Sequence, residues 1–234
     1  MTPPSRSLPT QPTDVWCVRT EGIVPTPALL TSLSDEEAAR AARFALAADR
    51  RSYELCHAAL RWILGQRLGE APARLRFVTG PWGKPALDRP FAASGIEFNL
   101  SHTAGLGLIA VTRGRCVGVD VEAVRPVHEM LGVAARVLCM ADRETLAALS
   151  VDQRPEAFWT LWTANEACLK ALGLGLGAGY HPIRLDARAR PVPRDGSLSL
   201  RLLELEHPFV GALAAQGMAP VMLSMRDFVF STEA

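Results

Sequence analysis

The chain of 234 residues has almost no net charge: 25 lysines and arginines against 24 aspartates and glutamates leave +1. That balance supplies no overall field for nucleic acid or a membrane surface, so any basic site is local. Cysteine is sparse and unpatterned. Cys17, Cys56, Cys116, Cys139 and Cys168 are scattered, odd in number and without a CxxC pair, which argues against a disulfide framework or zinc and fits reduced thiols in a cytoplasm. Long apolar runs are missing as well. The segment from Phe209 to Met225 is broken by Gln216, Gly217 and Pro220, and it reads as two strands around a turn rather than a membrane helix. No basic segment followed by an apolar run opens the sequence, so no signal peptide is expected. His57, His128, His181 and His207 make no ligand-spaced cluster.

What is present is enough for a core. A chain of this size buries roughly 70% of the surface its unfolded form exposes, and it needs no covalent staples. Residues 1 to 13 carry Pro3, Pro4, Pro9 and Pro12 among small polar residues and are expected to be disordered. A strand is expected at Val15 to Arg19. Ser34 can then cap a helix running to about Phe44, with Glu37 at the capping-box position. A second helix, Arg50 to Leu68, carries Tyr53, Leu55, Leu60, Ile63 and Leu64 on its apolar side and stops at Gly69. Strands follow at Leu75 to Thr79, Glu97 to Ser101, Leu106 to Thr112 and Cys116 to Glu122, the last two joined at Arg113-Gly114-Arg115 as part of a β-meander. Helices are expected at Val127 to Val137, Asp142 to Leu149 and Pro155 to Leu172. Strands resume near Ile183 to Asp186, Leu198 to Leu205, Phe209 to Ala215 and Val221 to Asp227. Helices then strands, twice over, predict an α+β fold of two similar halves, 14 to 114 and 115 to 234.

The chemistry concentrates at Val117-Gly118-Val119-Asp120-Val121-Glu122. Alternate side chains of a strand share a face, so Asp120 and Glu122 lie together. Two neighbouring carboxylates in an apolar strand ask for a metal, a basic partner or exposure. Oxygen ligands favour a hard ion, magnesium first and calcium or manganese next. Glu166 and Lys170 stand four apart on a helix whose neighbours include Phe158, Trp159, Leu161 and Trp162. They face one side, as either a surface salt bridge or part of a site. Ser101-His102 ends a strand and precedes the small residues Thr103, Ala104 and Gly105, which suits a phosphate. It is no hydrolase signal, because adjacent strand residues point apart and no nucleophile-elbow glycines surround the serine. Lys84-Pro85 and Arg43, Arg50 and Arg51 read equally as a turn and a solvated helix face.

Taken together, Arg43-Phe44, Asp49-Arg50, Gly83-Lys84-Pro85, Phe98-Asn99-Leu100-Ser101-His102, the Asp120/Glu122 strand and Leu161-Trp162-Thr163-Ala164-Asn165-Glu166-Ala167 with Lys170-Ala171 resemble the Sfp-type 4'-phosphopantetheinyl transferases over roughly residues 30 to 180. The resemblance implies a pseudo-dimer of two α/β halves with the active site between them. It implies a monomeric enzyme that moves the phosphopantetheine arm of coenzyme A, its co-substrate, to a serine of an apo acyl or peptidyl carrier protein and leaves adenosine 3',5'-bisphosphate. By that likeness Asp120, Glu122 and Glu166 hold Mg2+ (or Mn2+), and Lys84, Pro85, Ser101 and His102 grip the nucleotide with Arg43, Arg50 or Arg51. Lys170 meets the pyrophosphate, and Glu166 takes the serine proton. The carriers implied belong to polyketide, nonribosomal peptide, siderophore or fatty-acid synthesis. Asn165 departs from the family's usual lysine and removes one charge beside the phosphates, so weaker coenzyme A binding or slower transfer is expected. Two competing readings follow: a non-catalytic coenzyme A-binding or carrier-docking homologue, and a magnesium-dependent phosphohydrolase. Met130, Leu131 and Arg136 are candidates for carrier docking.

Overall fold

The computed structural model describes residues 12–126, 130–135, 138–186 and 190–230. Most of the segment expected to be disordered, residues 1 to 11, lies outside this range, as do His128 and Arg136 and the side chain of Leu131. Thr13 is already part of the first strand.

The first part of the chain holds β1 (Thr13–Arg19), a single turn α1 (Pro27–Leu30), α2 (Asp35–Ala41), α3 (Ala47–Leu68), β2 (Phe77–Thr79), β3 (Pro85–Leu87), β4 (Ile96–Thr103) and β5 (Leu106–Arg113). The second part adds β6 (Val117–Ala123), α4 (Met130–Ala134), α5 (Met140–Ala148), α6 (Arg154–Leu172), β7 (Ile183–Leu185), β8 (Pro191–Pro193), β9 (Leu198–Leu203), β10 (Phe209–Gln216) and β11 (Leu223–Asp227). This is the expected mixture of α and β. Helix α2 starts with the predicted capping box, in which the Ser34 hydroxyl accepts from the Glu37 amide and the Glu37 carboxylate accepts from the Ser34 amide. Helix α3 stops at Gly69, whose φ of 66° suits a residue without a side chain.

The meander is corrected by the structure. Strands β4 and β5 pair as a hairpin, but β6 leaves them for a second sheet. One sheet has the order β11-β1-β5-β4 and the other β6-β10-β9. The sheets stack face to face through Val15, Leu106, Leu108 and Ala110 of the first and Val117, Val119, Val121, Leu213 and Ala215 of the second. Opposite residues of the same strands face outward. Ile109 and Val111 meet Ala59, Leu60 and Ile63 of α3, while Ala212 and Ala214 meet Ala164, Ala167, Cys168 and Ala171 of α6. The result is four layers, helix, sheet, sheet, helix, each strand obeying the twofold alternation of its side chains. That burial explains why β6 departs: Val117, Val119 and Val121 lose more water-exposed apolar surface between two sheets than at the rim of one.

The chain's last strand returns to its first. Strand β11 runs parallel to β1, with Thr13 opposite Leu223 and Cys17 opposite Asp227. The Asp14 carboxylate holds the junction by accepting from Arg67 of α3 and from Arg226 of β11. The segment from 209 to 225 therefore forms β10, a turn and β11, as its broken pattern predicts. Among the described residues no helix is long and apolar enough to cross a membrane.

Helix α6 approaches the second sheet closely at Gly118. A Cβ there would lie 2.1 Å from the Ala167 carbonyl oxygen and 2.4 Å from the Ala171 amide nitrogen. Both are backbone atoms, so relief requires moving the helix. Gly118→Ala is expected to cost about 3 kcal/mol or more in urea unfolding, and a loss below about 1 kcal/mol would show that the helix is free to shift.

Candidate active site

Strands β4 and β6 are each the edge of their own sheet, and they run side by side in the same direction. Side chains of β4, rather than a backbone ladder, join them, and Asn99 Oδ1 accepts from the Val119 amide at 2.8 Å. From outside β4, Lys84 Nζ of the β2–β3 turn donates to the Val117 carbonyl at 2.9 Å and Lys170 Nζ of α6 donates to the Val119 carbonyl at 3.2 Å. Farther along, the Ser101 hydroxyl donates to Asp120 Oδ1 at 2.7 Å and the Thr103 hydroxyl to Glu122 Oε2 at 3.3 Å.

The expected face-sharing of Asp120 and Glu122 holds, since both turn toward β4. Each carboxylate has a basic partner. Lys170 Nζ lies 2.7 Å from Asp120 Oδ1, and Arg125 lies 3.1 Å from Glu122 Oε2. Arg125 is itself stacked over the Trp159 ring at 4.1 Å, and its carbonyl accepts from the Trp159 indole. Lys170 thus pairs from α6 with Asp120 of β6, and no Glu166–Lys170 salt bridge occurs among the described residues. Among the described residues two buried carboxylate oxygens are left without a hydrogen-bond partner, Asp120 Oδ2 and Glu166 Oε1. Burial first, and then the Asp120 charge, push the Glu166 carboxyl up to about 7, with Lys170 opposing and Glu122 adding to the rise. Burial and Asp120 likewise raise Glu122, against Arg125 and Thr103.

These oxygens fit a hard divalent cation. Among the described residues no three carboxylate, histidine or cysteine side chains converge as a ready-made cage. Magnesium does not ask for one, because it is commonly held by one or two carboxylates while water and substrate phosphates fill the other positions.

The other face of β4 opens on a cleft of about 900 Å3 walled by α2, α3, the β2–β3 hairpin and Leu100 and His102. Ser101 and His102 therefore serve opposite faces, as adjacent strand residues must. The His102 ring meets Tyr53 and His57 edge-on at 6.3 and 6.4 Å, and His57 is stacked on Tyr53 at 3.8 Å. Burial drives His57 down to about 3 and lowers His102 as well, assisted in the latter by the Lys170 charge. Both rings are neutral at physiological pH. Three guanidinium groups reach the cleft, from Arg40, Arg61 and Arg76. Arg61 is only 1% exposed; it donates to Glu37 and to the carbonyls of Pro72 and Leu75, which fixes the wall where α2 and α3 meet.

The structure gathers Asp120, Glu122, Glu166, Lys170 and Ser101 on one side of β4 and His102 with Pro85 on the other. Lys84 is spent on the β6 backbone, and burial lowers its pKa. Arg43 and Arg50 are exposed and Arg51 is half-buried; Arg50 pairs with Glu54 at 2.7 Å, and none of the three lines the cleft. Asn165 is 1% exposed, and its Oδ1 has no partner, so it is not brought to the open side with its neighbour Glu166. Met130 packs partly against the core of the second sheet. Sequence reasoning missed Arg40, Arg61, Arg76 and His57. Of these Arg61 alone carries a signal, a charge within the apolar stripe of α3.

Residues 116–210 match the sequence profile of the 4'-phosphopantetheinyl transferase superfamily. The chain is 40% identical over 148 residues to the 4'-phosphopantetheinyl transferase HetI of Nostoc sp., a stretch covering 63% of this chain and 62% of that protein. It is 26% identical over 180 residues to the 4'-phosphopantetheinyl transferase Sfp of Bacillus subtilis, covering 76% and 75%. Against the 4'-phosphopantetheinyl transferase AcpT of Salmonella typhimurium the identity is 29% over 127 residues, covering 54% and 62%. The match thus spans less than two thirds of the length of the Nostoc relative.

A carboxyl raised on folding destabilises the folded state wherever the unfolded one is ionised. For Glu166 the cost is absent below the ordinary carboxylate range near pH ~4.3, grows as pH rises, and is complete above about 7. In chelator, Glu166→Gln is therefore expected to melt increasingly above wild type as pH goes from about 5 to 8. Parallel melting curves across that range would show that the Glu166 charge carries no strain.

Proposed function

We propose that the chain, whose residues 116–210 match the 4'-phosphopantetheinyl transferase superfamily profile, transfers the 4'-phosphopantetheine arm of coenzyme A to a serine hydroxyl of an apo acyl or peptidyl carrier protein. The observation that carries this reading is the pair of unpartnered buried oxygens, Asp120 Oδ2 and Glu166 Oε1, beside the Lys170 ammonium. Asp120 and Glu166, with Glu122 at the rim, would hold Mg2+ or Mn2+. Such an ion supplies neutralisation of charge on the pyrophosphate oxygens.

The protein's own groups account for the rest. The carrier serine oxygen forms a bond to the β-phosphorus of coenzyme A, the bond from that phosphorus to the bridging oxygen breaks, and adenosine 3',5'-bisphosphate leaves with the electron pair. The serine proton goes to Glu166, whose affinity for a proton near neutral pH suits a general base. Lys170 neutralises charge in the same place, held by Asp120 and the Val119 carbonyl. The cleft on the other face of β4 is sized for the nucleotide, with neutral His102 and the guanidinium groups of Arg40 and Arg76 offered to its phosphates.

The two-sheet, two-helix layering supports the pseudo-dimer reading, with halves meeting near 114/115 and the site at their seam. Strand β11 crosses back into the first half, so the halves are interlocked. Five free thiols support a reducing cytoplasm.

Intact-mass spectrometry of several apo carriers, incubated with the protein, coenzyme A and magnesium, tests the proposal. A gain of one phosphopantetheine, abolished by EDTA and lost in Asp120→Asn, is expected. Coenzyme A binding without a mass gain on any carrier would favour the non-catalytic reading, and release of phosphopantetheine with no carrier present would favour the phosphohydrolase.

A further inference from the structure

The seam between β4 and β6 leaves Asn99 without a role in binding or proton transfer, yet Asn99 is buried at 4% exposure in the middle of it. Among the described residues no backbone hydrogen bond joins the two strands, although each is an edge that presents unpaired amides and carbonyls to the other. Val119 turns both its amide and its carbonyl to that side. Its amide is taken by Asn99 and its carbonyl by Lys170. Val119 immediately precedes Asp120, and Ser101, two residues beyond Asn99, meets Asp120 Oδ1.

We infer that Asn99 is a positioning residue: through the Val119 amide it sets how β6 stands against β4, and so where Asp120 presents its open Oδ2 to a divalent cation. The residue type follows from the chemistry of the place. An amide oxygen accepts from a backbone N–H, as a carboxylate would, but an aspartate here would set another negative charge beside Asp120. Serine or threonine accepts too, but is too short to reach from β4. Strand register is all-or-none, since a slip of one residue sends alternate side chains to the wrong face. A ladder of backbone bonds would normally fix it, and here a few side chains replace that ladder.

The inference rests on the reading of Asp120 as a cation ligand, and its test separates the two. The thermal midpoint is followed against magnesium concentration for the wild type, Asn99→Leu and Asp120→Asn, with the KM for coenzyme A measured at saturating magnesium. Asn99→Leu keeps the branched shape and removes the acceptor. Asn99→Thr, a good strand residue too short to reach Val119, serves if the leucine variant does not fold. The magnesium concentration giving half the shift is expected to rise roughly 10- to 100-fold in the Asn99 variants, while the KM for coenzyme A changes little. Variants that melt lower without metal but keep the wild-type magnesium dependence would overturn the inference, leaving Asn99 as packing. A wild-type protein that shows no magnesium-dependent shift, or keeps it in Asp120→Asn, would remove the premise instead.

Discussion

Everything chemical in this protein depends on how two sheet edges are joined without a ladder. Edges of β-sheets usually attract other strands, and folds blunt or cover them. Here the edges β4 and β6 are turned toward each other and bridged by Asn99, Ser101 and Thr103 of β4, while Lys84 from the β2–β3 turn and Lys170 from α6 cap carbonyls of β6. The bridge lets the strands stand apart by the length of a side chain. Asp120, Glu122 and Ser101 share that gap, while His102 is sent to the cleft on the far side. The seam thus sets the unpartnered Asp120 oxygen and the cleft of about 900 Å3 on the two sides of β4.

Such an arrangement is costly in the absence of its ligands. A buried carboxylate oxygen without a partner opposes folding, and Asp120 and Glu166 each retain one. Lys170 and Arg125 relieve part of the repulsion, while burial first and the Asp120 charge second still raise the Glu166 carboxyl. The core offsets that strain. Helix α6, which carries Glu166 and Lys170, is pressed against Gly118 on one side and packs Phe158 and Trp159 into apolar neighbours on the other. Stability drawn from packing is what allows a site to stay electrostatically unsatisfied until it binds.

Much of this is legible in the sequence, and the limits have physical causes. Local rules hold where the interaction is local: the Ser34/Glu37 box, the Gly69 stop, the shared face of Asp120 and Glu122 and the opposed directions of Ser101 and His102 all follow from spacing. The turn at Arg113-Gly114-Arg115 misleads, because a short connection resembles a hairpin whether the next strand pairs with its neighbour or leaves for another sheet. What decides β6 is burial of its valines against β10 and the first sheet, with partners nearly a hundred residues away in the register Val119 to Leu213. The meeting of His57 with His102 is hidden for the same reason. Lys84 reads as a solvated turn lysine, and only the fold reveals that its ammonium is committed to Val117. Arg61 is the exception that spacing does betray, as a charge on an apolar stripe.

The pairing of β11 with β1 gives the molecule a temporal asymmetry. A ribosome delivers β1 well before the neighbour that covers its outer edge, since Asp14 of β1 and Arg226 of β11 lie 212 residues apart. Until then Asp14 has Arg67 and lacks Arg226, and the first sheet carries an open edge while the second half is still being made. The seam residues, from Asn99 to Lys170, all precede β11 in the chain, so the border of the first sheet closes after them. A chain made only as far as α6 is left with β1 as an exposed strand template, the condition in which chaperones find most to bind.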